Sequence, residues 1–300
     1  MSDKLIIDVR INEYAMRDPN PHVPYSPEEI AAQALECWRE GASIIHYHAR
    51  DPRTGAPSAD PTLYAETVRR IREKSDLIVM PTNIPANDVL APVSSEDRIA
   101  PIMEIARDPA TRPELAPIDM TTCNLDVFDP VAKRFKTTEM VYVNTTKSWQ
   151  VFADSFKSVG IKPVPFLWNV GSIRALEAFL AMRVFQAPLW CEVVLTDGGH
   201  LVGHPGTIAG LDAFLDFFPT DAKWNWSVLS FGGNVFAVAA AAMERGGHVS
   251  IGLGDHHYQE LELPTNAGLV KRVVELARDV GRPTATPAEA RGVLGLATSA

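Results

Sequence analysis

Short apolar, β-branched runs alternate with helix-period segments from one end of this sequence to the other, and few folds accommodate that rhythm. The runs are Leu5 to Ile11, Ser43 to Ala49, Leu77 to Pro81, Ala116 to Met120, Lys162 to Trp168, Leu189 to Leu195, Asn225 to Ser230 and His248 to Leu253. The clearest segment between them is "SPEEIAAQALECWREGA". Ser26 is its N-cap, Pro27 takes the first helical position, Glu29 completes a capping box and Gly41 ends the helix. Further helices are expected over about 61–75, 96–107, 146–159, 172–185, 207–218, 235–245 and 265–280, with a last short one in "TPAEARGVLGL". Parallel strands joined by helices need both faces covered, so eight such units close most economically into a (β/α)8 TIM barrel. A doubly wound open sheet fits less well, because no strand runs into G-x-G-x-x-G and no Walker sequence is present. Nothing splits the chain, which reads as one barrel domain over 1–300 with an insertion after the fourth strand (about 124–146) and a C-terminal helical extension.

Charge bounds the partners. The balance of 28 Lys+Arg against 37 Asp+Glu, a formal −9, contains no basic run, so the footprint of a nucleic-acid or membrane-surface protein is missing. Small molecules are the expected partners. The N-terminal apolar run is broken by Asp8 and Arg10, too short and too charged for a signal peptide or a spanning helix, and a cytoplasmic location is expected. The 3 cysteines are scattered, with no C-x-x-C pair, and read as small buried apolar residues.

In a barrel, the C-terminal strand ends and the loops after them form the active site. The second strand ends in "HYHARD", where alternation points His46 and His48 to the same side. Two converging imidazoles suit a divalent metal, zinc first, or else a hydrogen-bonded pair in a polar barrel mouth. The last strand runs into Gly252, Gly254, Asp255, His256 and His257, placing a carboxylate beside histidines as base or ligand. The loops "TDGGHLVGHPGT" and "SFGGN", after the sixth and seventh strands, have the form of barrel anion sites, with a solvated loop the simpler account of any single residue in the first. On the first strand Asp8, Arg10 and Asn12 share a face directed at the lumen, so Arg10 needs a counter-charge, and Glu192 on the sixth strand is the candidate. That pairing serves either a substrate or only the barrel filling.

These stretches resemble the β-keto acid cleavage enzymes, in "PHVPYSPEEIAAQAL", "GASIIHYHARDPRTGAPSAD", "GGHVSIGLGD", "TNAGLVKRVVELARDVGR" and "TPAEARGVLGL". The most specific of them is H-x-H-x-R-D-P followed by G-x-P-x-x-D. The resemblance implies a zinc-binding (β/α)8 barrel, a homo-oligomer (usually a tetramer), and transfer chemistry between a β-keto acid and acetyl-CoA or another CoA thioester. It implies that His46 and His48 hold the metal, that Asp255 is the general base, and that Thr82 orients the substrate. Asn12, Asn83 and Thr122 are assigned to substrate binding, and Arg10 to the catalytic set.

The departures are concentrated at the last strand. The family's Arg-x-Gly-x-Glu-Asp-Asn is here Ser250 to His256, so the metal-binding Glu is replaced by Gly254 and the Arg that supports the base by Ser250. A fifth-strand Glu is replaced by Phe166. A third ligand is therefore expected from His256 or Glu192, with His257 or a sixth-loop histidine in reserve, and Arg10 is expected to stand in for the lost Arg. Restoring Glu at position 254 is expected to tighten zinc. The alternatives are a metal-dependent hydrolase and a small-molecule binding protein without catalysis.

Overall fold

The structure is a computed structural model that describes residues 4–84, 93–219 and 224–297. Eight barrel strands are present: β1 (Ile7–Arg10), β2 (Ile44–Tyr47), β3 (Ile78–Pro81), β4 (Leu115–Asp119), β5 (Lys162–Leu167), β6 (Leu189–Thr196), β7 (Trp224–Phe231) and β8 (His248–Ile251). Helices α1 (Pro27–Glu40), α2 (Pro61–Arg72), α3 (Ser95–Ile105), α4 (Thr146–Ser158), α5 (Val170–Ala181), α6 (Ile208–Leu215), α7 (Phe236–Glu244) and α8 (Asn266–Val280) alternate with them, and α9 (Pro287–Leu294) ends the fold. The strands pair in parallel in the order β3-β2-β1-β8-β7-β6-β5-β4, and β3 and β4 lie side by side to close the ring, giving the expected (β/α)8 barrel. Side chains stitch that seam: Asn83 Nδ2 donates to Pro117 O (2.7 Å), and Val79 N donates to Glu114 Oε2 (3.2 Å).

Local chemistry sets the ends of the elements. The capping box at Ser26 and Glu29 starts α1, and Gly41 at φ 113° ends it. The helix expected from 172 begins at Val170, because Asn169 caps it by accepting from Ser172 N (3.1 Å). Alternation along the strands divides the apolar residues into two cores. One lies between sheet and helices. The other fills the lumen with Ile6, Ile44, Ile78, Met80, Leu115, Val164 and Trp190, and it also includes Ala285 with Ala290 and Leu294 of α9.

The insertion after β4 forms two short antiparallel ribbons, pairing 123–124 with 141–142 and 128–129 with 134–135. It folds against the loop after β6, where Phe128 N donates to Gly199 O (2.9 Å). Gly199 has φ +89°, and a Cβ there would lie 2.1 Å from Phe128 O, so this contact requires glycine. No helix among the described residues is long and apolar enough to cross a membrane.

Candidate metal centre and active site

His46 and His48 close on one point at the end of β2, with ring centroids 5.4 Å apart. The third member of the cluster is Glu13, from the β1–α1 loop. Its Oε1 lies 3.1 Å from His46 Nε2 and its Oε2 contacts His48 Nε2. One ligand atom from each of the three lies within 4.8 Å of the others, and all three residues are buried; they are the one group of metal-ligand type among the described residues.

The loop that carries Glu13 is clamped from below. Glu13 sits at φ 33°, a conformation L residues adopt only when their surroundings impose it. The fully buried Arg50, four residues after His46, imposes it by donating to the carbonyls of Asn12 (3.2 Å), Glu13 (2.5 Å) and Ala15 (3.1 Å) and to Gly55 O. Asn12 ties the same loop to β2. Its side chain accepts from His48 N (2.9 Å) and donates to His48 O (2.9 Å) and Pro24 O (3.1 Å). Its donors and acceptor are thus consumed in positioning His48, which corrects its assignment to substrate binding.

Arg10 joins the metal cluster to the last strand. Its Nη2 is 2.8 Å from Glu13 Oε1, its Nε is 3.0 Å from Asp255 Oδ2, and its carbon Cζ stands 5.1 Å from the centre of the Phe166 ring. Arg10 Nη1 is buried without a partner, and Arg10 lines the cavity in front of the cluster. The expected Arg10–Glu192 pair is not formed. Glu192 accepts from Ser227 Oγ and from Trp190 Nε1 (3.2 Å), and it hydrogen-bonds Asp8, so it reaches neither histidine. His256 is committed to Glu260 (3.0 Å). Neither expected third ligand reaches the cluster; Glu13 stands beside both histidines instead. Gly254 shows this directly: a Cβ there would lie 2.3 Å from Glu13 Cγ.

The electrostatics suit a donor set. Burial lowers His46 to about 4, despite the opposing pull of Glu13, so its imidazole is neutral. Burial would raise Glu13, but Arg10, His48 and His46 hold it well below the usual carboxylate range. Asp255 goes the other way: burial raises it to about 7 against the pull of Arg10. Neutral imidazole and ionised carboxylate are the forms that bind a metal, and two His with one carboxylate is a ligand composition of catalytic sites with an open position.

A cavity of about 320 Å³ opens in front of this cluster. Arg10, Glu13, His46, His48, Thr82 and Asn83 line one side, and Asn83 Oδ1 is buried there without a partner. Asp255 lies behind Arg10 rather than among the lining residues. Thr122 is exposed and joins the two ends of the insertion, donating to Asn144 O (2.8 Å) and accepting from Asn144 N (2.9 Å), which corrects its assignment to substrate binding. The loop after β6 closes around Asp197, whose Oδ2 accepts from Ser230 Oγ (3.0 Å), so a carboxylate occupies the place expected for an anion. The residues that sequence reasoning missed are Glu13 and Arg50. Glu13 was detectable as an acidic residue just past the end of a barrel strand, where functional groups collect.

A family model described as beta-keto acid cleavage enzyme matches residues 4–296. The 3-keto-5-aminohexanoate cleavage enzyme of Acetoanaerobium sticklandii is 30% identical over 298 residues, spanning 98% of this chain and 99% of that protein. The 3-dehydrocarnitine:acetyl-CoA trimethylamine transferase of Rhizobium meliloti is 28% identical over 286 residues, 92% of this chain and 90% of that protein. Among solved structures, ObcA in a binary complex with oxaloacetate superposes with a TM-score of 0.69 at 18% identity, over 93% of this chain and 68% of that one, a likeness of fold.

Proposed function

The chain belongs to the β-keto acid cleavage enzyme family, and from that premise we propose that it is a metal-dependent enzyme exchanging acyl groups between a β-keto acid and acetyl-CoA. Family members are enzymes that cleave β-keto acids with acetyl-CoA as acceptor. In the proposed reaction the C2–C3 bond of R-CO-CH2-COO⁻ breaks and the CH2-COO⁻ unit bonds to the acetyl carbonyl carbon. The R-CO group takes the CoA sulfur. Acetoacetate and R-CO-CoA result, with atoms and charge conserved.

The observation that carries this reading is the convergence of Glu13, His46, His48 and Arg10 on one wall of the cavity. Glu13, His46 and His48 would hold a divalent metal, zinc by resemblance, which when bound polarises a carbonyl oxygen as a Lewis acid. Arg10 Nη1, buried and unpartnered, offers a donor to the substrate carboxylate. Thr82 and Asn83, from the end of β3, orient the substrate from the neighbouring wall. Asp255, behind Arg10, is the base by resemblance: when ionised it takes a proton from C2 of the keto acid and returns it as the product forms. Its ion pair with Arg10 also holds the guanidinium in place.

Elemental analysis of protein purified without chelator, followed by incubation with β-keto acids and acetyl-CoA, tests the proposal. Near-stoichiometric divalent metal and acetoacetate formed only with acetyl-CoA support it. Product release without acetyl-CoA makes the chain a hydrolase, and metal-free protein that binds keto acids without turnover makes it a binding protein. A cytoplasmic location and a homo-oligomeric assembly accompany the reading as proposals.

A further inference from the structure

The cavity has two unlike halves. Its paired charges lie on the β1–β2 side, where Arg10 already faces two carboxylates, Glu13 and Asp255, and has only Nη1 left for the keto acid's own carboxylate. Beyond Phe166 of β5, whose ring borders Arg10 (5.1 Å) and His46 (6.2 Å), Val194, Leu229 and Phe231 come from β6 and β7, and Val127 and Met140 come from the insertion. One charged side chain lies in this second half among the described residues, Asp119 at the end of β4. Both of its oxygens are engaged along the wall, Oδ1 accepting from Trp168 Nε1 (2.8 Å) and Oδ2 from the Tyr142 hydroxyl (2.5 Å). His200 also lines this half, and burial, followed by Lys136, lowers its pKa and favours the neutral ring.

Resting on the acyl-exchange reading above, we propose that the R group of the keto acid is uncharged and apolar, and that Phe166, Val194, Leu229 and Phe231, with Val127 and Met140, select it. A second carboxylate on R meets Asp119 and finds no Lys or Arg among the described lining residues of that half, Lys136 acting on His200 from outside them, and desolvating an unpaired ion is strongly unfavourable. An ammonium on R finds a single counter-charge, Asp119, whose two oxygens already accept from Trp168 Nε1 and the Tyr142 hydroxyl, and gives up the rest of its hydration to apolar side chains. An alkyl or aryl R loses only unfavourable water contact, and apolar lining with a few placed polar groups is the usual build of a small-molecule pocket.

The test is calorimetric titration of metal-loaded protein, without acetyl-CoA, with freshly prepared 3-oxooctanoate, 3-oxoadipate and 3-oxo-5-aminohexanoate. The expected result is that 3-oxooctanoate binds about tenfold or more tightly than either charged acid, the size of discrimination apolar pockets give. Equal affinities, or tighter binding of a charged acid, overturn the proposal. Turnover of the same acids with acetyl-CoA is scored separately, so an inert but apolar-selective protein refutes the acyl-exchange reading and leaves the pocket assignment standing. Phe231→Lys is expected to shift the affinity ratio toward 3-oxoadipate with metal content unchanged. Should that variant not fold, Val127→Lys on the insertion places the same charge in the same half of the cavity, and no shift in a folded variant also counts against the proposal.

Discussion

Replacing Glu13 with Gln keeps the size of the side chain and removes its charge, which isolates what the carboxylate does. In the native cluster Glu13 faces both imidazoles and Arg10 at once, within 3.1 Å of His46 and 2.8 Å of Arg10. Without that charge, the metal position keeps the two imidazoles and gains an Arg10 whose nearer counter-charge has gone. Two unit charges about 4 Å apart interact by about 4 kcal/mol at an effective dielectric constant of about 20, which is a floor for a divalent ion at closer range. Since each 1.4 kcal/mol is about a factor of ten, a loss of at least two to three orders of magnitude in metal affinity follows. Competition against a chromophoric chelator measures it, with circular dichroism confirming the fold. A Glu13→Gln protein that binds metal within about threefold of the native affinity would refute the assignment of Glu13 as the third ligand.

The remaining predictions concern its neighbours. Asp255 must be ionised to accept a proton, so kcat/KM is expected to fall as pH drops below about 7, and Asp255→Asn is expected to lose both most of the activity and that limb of the profile. Gly254→Glu is expected to weaken metal binding, since its Cβ would start 2.3 Å from Glu13 Cγ, whereas adding Glu13→Gly is expected to recover part of the affinity; independent, additive losses in the double variant would contradict the overlap. Arg50→Met leaves the carbonyls of Asn12, Glu13, Ala15 and Gly55 without their donor, and a stability loss of about 3 kcal/mol by denaturant titration is expected together with weakened metal binding.

The barrel was legible because its signal is repeated eight times. Each apolar run and each cap is a local statement, and the ends of β1 to β8 fall within a few residues of the sequence expectation. Of the site, the histidine pair was visible because two residues on one strand share a face by alternation alone. The third member of the cluster, Glu13, was not, because it lies in a loop where no periodicity applies. Its placement depends on a positive φ enforced by Arg50, 37 residues away, and on space left by Gly254, far along the chain. Asn12 misled for a related reason. It is a polar residue just past a strand end, which suggests a ligand contact, yet its side chain makes backbone bonds to His48 and Pro24 that only the folded loop reveals.

The resemblance places a Glu at 254 and an Arg at 250, both contributed by β8, whereas this chain has Gly254 and Ser250 there and Glu13 and Arg10 at β1. The geometry explains how such an exchange is tolerated. β1 and β8 are adjacent in the ring, with Asp8 paired to Ser250 and Val9 to Ile251, and Gly254 N donates to Arg10 O (3.0 Å). Side chains from either strand therefore project into the same volume. The metal position and Asp255 sense a charge and its distance, whichever strand supplies it, so Arg10 on β1 and Glu13 on the loop after it give the same sum near the cluster as a carboxylate and guanidinium on β8 would. Moving one without the other does not. Arg10 without Glu13 sets an extra cation against the metal, and Glu13 without Arg10 loses the first of the opposite charges that hold it ionised. The two positions are coupled for that reason. Arg10→Ala is expected to cost metal affinity although Arg10 donates no ligand atom, and metal binding indistinguishable from native in that variant would show that Glu13 is held by the histidines alone.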